Sequence, residues 1–169
     1  ALNGVVNLRT GKLMPHDPKY RMTMQANADY KPGARHAAWD KALEALAPDE
    51  SPWFQRWAGC GLTGYQPDDH GAATPILTGT GSNGKSVLMT SISSTFGGYA
   101  YMGSLALLLP DSGKDLLRAC AHLRSVRLVY IEEFPDGVIH GAALKQVAST
   151  PTMKGEFKFK SEFTFNTTH

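Results

Sequence analysis

The sequence predicts an α/β protein in two parts: a small, mainly helical module over residues 1–66, then a core over residues 67–169 built on a mostly parallel sheet. Three observations predict it. The first third shows helical periodicity punctuated by prolines. The apolar run Ala73 to Leu77 then hands over, through a glycine-rich octet, to a second helical stretch. Further on, the apolar run Leu128 to Ile131 ends in an acidic pair, Glu132 and Glu133.

Each element carries its own signal. Asn3 to Leu13 holds β-branched residues between Asn-Gly and Thr-Gly turn signals, which predicts a short hairpin. From Trp39, the residues Ala42, Leu43 and Leu46 recur on one helix face, and Pro48 closes that helix. Ser51 and Pro52 supply an N-cap and a first-turn proline for a second helix, with Trp53, Trp57 and Cys60 along one side. These two helices are expected to pack together. A Gly- and Asp-rich turn spans Gly64 to Gly71, followed by a strand over Ala73 to Leu77 and a helix from Lys85 to about Phe96. Leu116, Cys120 and Leu123 share a face of a helix expected over Asp115 to Leu123, and a strand is expected over Val126 to Ile131. A further helix is expected over Gly141 to Ala148. Finally Phe157, Phe159, Phe163 and Phe165 fall at alternate positions, which predicts extended structure with one apolar face.

Composition narrows the function classes. A 169-residue chain with 42% hydrophobic and 19% charged residues reads as an ordinary globular protein, not a disordered or fibrous one. Its formal net charge of +2 is too small to predict a nucleic-acid partner by itself. Cys60 and Cys120 form no Cys-x-x-Cys pair, so neither a zinc site nor a disulfide framework is expected, and a reducing, cytoplasmic setting fits best. No apolar run approaches the roughly 18 residues that span a bilayer, and no charged-then-apolar leader opens the chain. The start at Ala1 without Met, and the stop at His169 just after a strand-like run, read as those of a piece of a longer polypeptide.

The chemistry sits in the octet. Gly79, Thr80, Gly81, Ser82, Asn83, Gly84, Lys85 and Ser86 match G-x-x-x-x-G-K-[ST] at every fixed position, between an expected strand and an expected helix. Glycines there let successive backbone N–H groups turn inward around a polyphosphate, and the following helix N-terminus favours the anion. Lys85 is expected to reach the β- and γ-phosphates of ATP, and Ser86 to bind Mg²⁺ through its hydroxyl. Such a core is a P-loop NTPase core. Carboxylates at the end of a central strand belong beside that loop, so Glu132 is expected to hold Mg²⁺ and Glu133 to polarise the attacking water.

Basic residues cluster late: Lys145, Lys154, Lys158 and Lys160, with Phe157 and Phe159 interleaved. They fit a grip on a nucleic-acid backbone, or an amphipathic strand with core phenylalanines and solvated lysines, and composition alone favours the latter. Asp68, Asp69 and His70 lack further ligands in register and read as a solvated loop. Trp39, Trp53, Trp57 and Cys120 read as packing.

Taken together, Gly79 to Ser86 followed by Arg127 to Glu133 resembles the superfamily 3 helicase domain of phage, plasmid and poxvirus primase-helicases. Upstream, Asn3 to Gly11, Tyr30-Lys31-Pro32, and Phe54 to Trp57 through Gly61 to Gly64 look like the small domain that precedes the motor in those proteins. Leu144 to Val147, Phe159-Lys160, Phe163 and Phe165 are similar to the motif that supplies a DNA-gripping hairpin. The resemblance therefore reverses the preference drawn from composition and implies DNA contacts at Lys158, Phe159 and Lys160. The sequence departs from that motif at Ala148 to Pro151, where relatives carry Gly-Gly-Asp, and at Glu156, where a basic residue is common. The resemblance further implies the AAA+ variant of the core, a hexameric ring with ATP between subunits, and a sensor residue and arginine finger beyond His169. On this reading the parent protein unwinds DNA in replication of a phage, plasmid or integrated element, with room for a primase domain upstream. Two other classes stay open: a P-loop ATPase switch that moves no DNA, and a non-catalytic nucleotide- or DNA-binding module.

Overall fold

The computed structural model describes residues 1–65, 73–109, 113–132 and 139–169, with backbone alone at 113–114. The chain divides into two units, Ala1–Thr63 with Leu77–Ala100, and Gly64–Ile76 with Tyr101–His169. The first unit thus takes in the glycine-rich octet and its helix along with the N-terminal module.

In the first unit, β1 (Val5–Asn7) and β2 (Lys12–Met14) form the expected antiparallel hairpin, Val5 opposite Met14. Its turn is closed from within the sequence. The Asn7 carboxamide oxygen accepts the backbone N–H of Arg9 at 3.0 Å and of Thr10 at 3.2 Å, and the Asn7 carbonyl accepts from Gly11 at 2.8 Å. The helix α1 (Ala37–Leu43) starts at His36, whose Nδ1 accepts from Ala38 N–H. It ends earlier than its apolar spacing suggests. Backbone bonds from Ala45 to Ala42 and from Leu46 to Leu43 tighten the chain into i→i+3 turns, so Leu46 lies beyond the helix.

The helix α2 (Glu50–Gly61) begins at Asp49 rather than Ser51, with Pro52 inside a first turn whose N–H groups have no helical acceptor. Its buried face is one position away from the expected one: Phe54 is 2% exposed, whereas Trp53 is 42% exposed and Cys60 is exposed. Trp57 is half-buried and stacks on Phe54 at 5.6 Å. The helix α3 spans Lys85–Phe96, the range its periodicity predicts, and buries Leu88, Ile92 and Phe96 four residues apart. It is α3, not the expected α2, that provides the main packing partner of α1. The irregular segment after the hairpin is tied to the same helix region: Asn27 N–H donates to the Thr95 carbonyl at 2.9 Å, and the Tyr99 hydroxyl donates to the Met24 carbonyl at 2.8 Å.

In the second unit, β3 (Ala100–Met102) pairs with β4 (Leu128–Tyr130) in a two-stranded parallel sheet. The helices α4 (Gly113–Ala121) and α5 (Gly141–Ser149) occupy the expected positions. The last two strands, β5 (Thr152–Gly155) and β6 (Phe163–Asn166), form an antiparallel hairpin, Met153 opposite Phe165 and Gly155 opposite Phe163. Leu107, Ala119, Cys120, Leu123, Val147, Met153 and Phe165 make one core cluster, with Leu116 packed against it. Leu116, Cys120 and Leu123 thus face inward as their spacing predicts. Burial pushes the Cys120 thiol up to about 11, so it stays protonated and serves as packing.

Two expectations fail. The mostly parallel sheet is reduced, among the described residues, to one parallel pair beside two antiparallel hairpins. The segment Ala73 to Leu77 is not a strand: Ile76 is 54% exposed, and Pro75 has no N–H to give a ladder. There the chain passes from one unit into the other. No helix among the described residues is long and apolar enough to cross a membrane.

Candidate functional site

Sequence reasoning nominates two places, a glycine-rich loop in the first unit and a basic hairpin in the second. Each is positioned by local chain chemistry.

The loop Gly79–Gly84 reverses direction by leaving the ordinary backbone regions. Gly81 and Gly84 take φ of 97° and 85°, and Ser82 takes φ of 49°. Gly84 is the N-cap of α3 and has no side chain to cap it, so the N–H groups of the first turn of α3 are left to an outside acceptor. Lys85 folds back over the loop. Its Nζ donates to the Asn83 carboxamide oxygen at 2.7 Å and to the Gly79 carbonyl at 3.4 Å. A Cβ at Gly79 would overlap the Asn83 carboxamide, so the absence of a side chain there is what lets Asn83 hold the ammonium. Ser86 is exposed one residue on, and nothing stands within 4 Å of where a Cβ at Gly81 would lie. Open space, an uncapped helix start, a cation and a hydroxyl suit a polyphosphate with its divalent cation.

The acidic pair follows β4 in the second unit. Glu132 is exposed just past the strand end, and Glu133 lies outside the described residues, as do Asp68, Asp69 and His70. Among the described residues no group of three or more His, Cys, Asp or Glu side chains could hold a metal ion.

The hairpin β5–β6 has its turn at Phe157–Lys160, where Lys160 N–H donates to the Phe157 carbonyl at 2.9 Å. Phe159 is 93% exposed and takes φ of 64°, a backbone conformation costly for a bulky residue. The expected run of core phenylalanines is therefore split. Phe165 is buried and Phe163 half-buried, while Phe159 stands at the tip. The Lys158 ammonium lies 5.0 Å from the Phe159 ring centroid, and neither Lys158 nor Lys160 has an acidic partner among the described residues. Lys154, by contrast, is paired with Glu162 at 2.8 Å, and that hydrogen bond and charge hold its ammonium above the usual lysine range. Lys145 is exposed on α5.

Sequence reasoning missed the ring column beside this hairpin. Tyr101 stacks on His122 at 5.7 Å, Phe157 meets His122 edge-on at 5.4 Å, and Phe163 lies 5.5 Å from Phe157 and 5.9 Å from Phe165. Arg124 places its guanidinium 5.9 Å from the Phe163 ring centroid. No periodicity links residues so far apart in the chain.

Residues 1–60 match a family model described as D5 N terminal like. That family is the N-terminal domain of D5-like primase-helicases of phages and viruses. The match supports the small domain that the upstream residues resemble; it covers β1, β2 and α1 and ends one residue short of the end of α2, before the glycine-rich loop begins. Primase-helicases act in DNA replication, and that is the context the match supplies. Comparison with curated proteins gives no match.

Proposed function

We propose that this chain is the nucleotide-binding part of a replicative helicase of phage or plasmid type, which hydrolyses ATP to move on single-stranded DNA in the bacterial cytoplasm. The observation that carries the reading is the loop Gly79–Ser86, where an uncapped helix start, left-handed glycines and Lys85 occur together within eight residues. The match of residues 1–60 to a primase-helicase domain supports the same reading from an independent segment. In the proposed complex Lys85 leaves Asn83 for the β- and γ-phosphates, the first-turn N–H groups bind phosphate oxygens, and Ser86 holds Mg²⁺. Bound Mg²⁺ supplies charge neutralisation of the polyphosphate. Glu132 as a metal ligand, Glu133 as the group that orients water, assembly as a hexameric ring, and Lys158, Phe159 and Lys160 as DNA contacts complete the proposal.

The test is Lys85→Ala in the full-length protein. Turnover of ATP should fall about 100-fold or more, and binding of a fluorescent ATP analogue should weaken, because a positioned cation is removed from developing phosphate charge. Near-normal turnover rules out the motor. Robust turnover in the wild type that neither responds to single-stranded DNA nor accompanies unwinding would instead assign the chain to the switch class.

A further inference from the structure

The ring column beside the hairpin continues the tip into a second patch on the turn after α4. Arg124 and His122 are both exposed, and both are held by rings rather than by acids. Arg124 sits over Phe163, the neighbour of Phe157 in the column, and Phe157 is the first residue of the tip turn. The contacts therefore run without a break from Arg124 and His122 to Lys158, Phe159 and Lys160.

Charge along this path is unbalanced in one direction. Lys158, Lys160 and Arg124 have no acidic partner among the described residues, and of the two carboxylates in the hairpin loop Glu162 is neutralised by Lys154, which leaves half-buried Glu156 against three cations. A guanidinium held against a ring loses little freedom when it binds an oxyanion, and its planar fork suits a phosphate. Phe157, 38% exposed, and Phe159 supply ring surface between the cations. Cations for a backbone, alternating with partly exposed rings, are the makings of a surface for single-stranded nucleic acid.

We propose that Arg124 and His122 form a second contact site for single-stranded DNA, flanking the hairpin tip, with Arg124 on a phosphate and His122 fixed as a side wall by Tyr101 and Phe157. This rests on the proposed action on DNA and adds residues to it. A strand that touches the tip is thereby led down one side of the hairpin instead of being held at a single point.

Anisotropy of a fluorescein-labelled oligo(dT) against the whole chain, measured across a salt series, tests the proposal. Arg124→Ala should weaken binding by about threefold to tenfold and lower the slope of log affinity against log salt by about 0.7, the value for one lost phosphate contact on a single strand. Arg124→Lys should restore the slope, which a loss of folding or packing would not allow. His122→Ala should weaken binding with the slope unchanged, since no charge on a phosphate is removed. If Arg124→Ala keeps wild-type affinity and slope while Lys158→Ala/Lys160→Ala loses both, the flank is not a contact and only the tip binds. If the wild type and all variants bind oligo(dT) equally weakly, or bind poly-glutamate as well as they bind oligo(dT), both the flank and the proposed action on DNA fall.

Discussion

At the scale of single residues, the glycine-rich loop depends on a side chain that is missing. Gly79 leaves room for the Asn83 carboxamide, and Asn83 holds Lys85 through the 2.7 Å hydrogen bond. Gly79→Ala should push Asn83 and the loop backbone aside, because the added Cβ overlaps the carboxamide, and so turn loop N–H groups away from a phosphate, lowering affinity for an ATP analogue about tenfold, on the order of one hydrogen bond. The loop is exposed, so the melting temperature should move by no more than a few degrees. Wild-type affinity in that variant would mean that the backbone at Gly79 takes no part in binding. Among single residues, those with fixed spacing were legible: Gly79, Gly84, Lys85 and Ser86 could be named from the octet alone. Asn83 occupied a position the pattern leaves open, and its bond to Lys85 is visible only in three dimensions.

At the scale of elements, α3 was readable to the residue because Leu88, Ile92 and Phe96 repeat every four positions between a glycine start and a glycine stop. In α2 the tryptophans misled. Large rings suggest burial, yet the register that packs is set by Phe54, and Trp53 is left outward. The strand at Ala73 to Leu77 failed for a different reason: pairing is non-local, and no sequence window reports whether a neighbour is present. The terminal hairpin lies between these cases. Alternation found the extended structure, but not the turn at Phe157–Lys160 that interrupts it. A phenylalanine at φ of 64° costs roughly 1–2 kcal/mol, which glycine would not, although glycine gives back about 0.5–1 kcal/mol through the unfolded chain. Phe159→Gly should therefore leave the melting temperature unchanged or slightly raised while weakening oligo(dT) binding. A fall in stability of about 3–5 kcal/mol, the cost of deleting a core phenylalanine, would show the ring to be buried and the tip assignment wrong.

At the scale of the whole molecule, the two units interleave along the chain, since the first is completed only by Leu77–Ala100. The sequence match ends at residue 60 and the module read from the sequence at residue 66, while Leu77–Ala100 also belongs to the first unit. A fragment of residues 1–63 lacks α3, loses the bonds from Thr95 and Tyr99 to the Met24–Asn27 segment, and leaves α1 without its main partner. It should show a broad, weakly cooperative melt by circular dichroism, whereas residues 1–100 should unfold in a single sharp transition. Equal cooperativity in the two fragments would show that the N-terminal module folds on its own.

Interleaving also decides what can be exchanged between proteins. Because the helix that follows the glycine-rich loop is a structural member of the N-terminal unit, occupancy of the loop becomes a stabiliser of residues 1–60: a ligand at a hundredfold excess over its dissociation constant adds about 2.7 kcal/mol to whatever unfolds with its site. A chimaera that imports residues 1–60 from another source sets a foreign α1 against α3, and one that imports the loop and its helix sets a foreign α3 against α1. Recombination at the apparent boundary therefore separates members of one packing unit, and only a graft that carries both pieces preserves it.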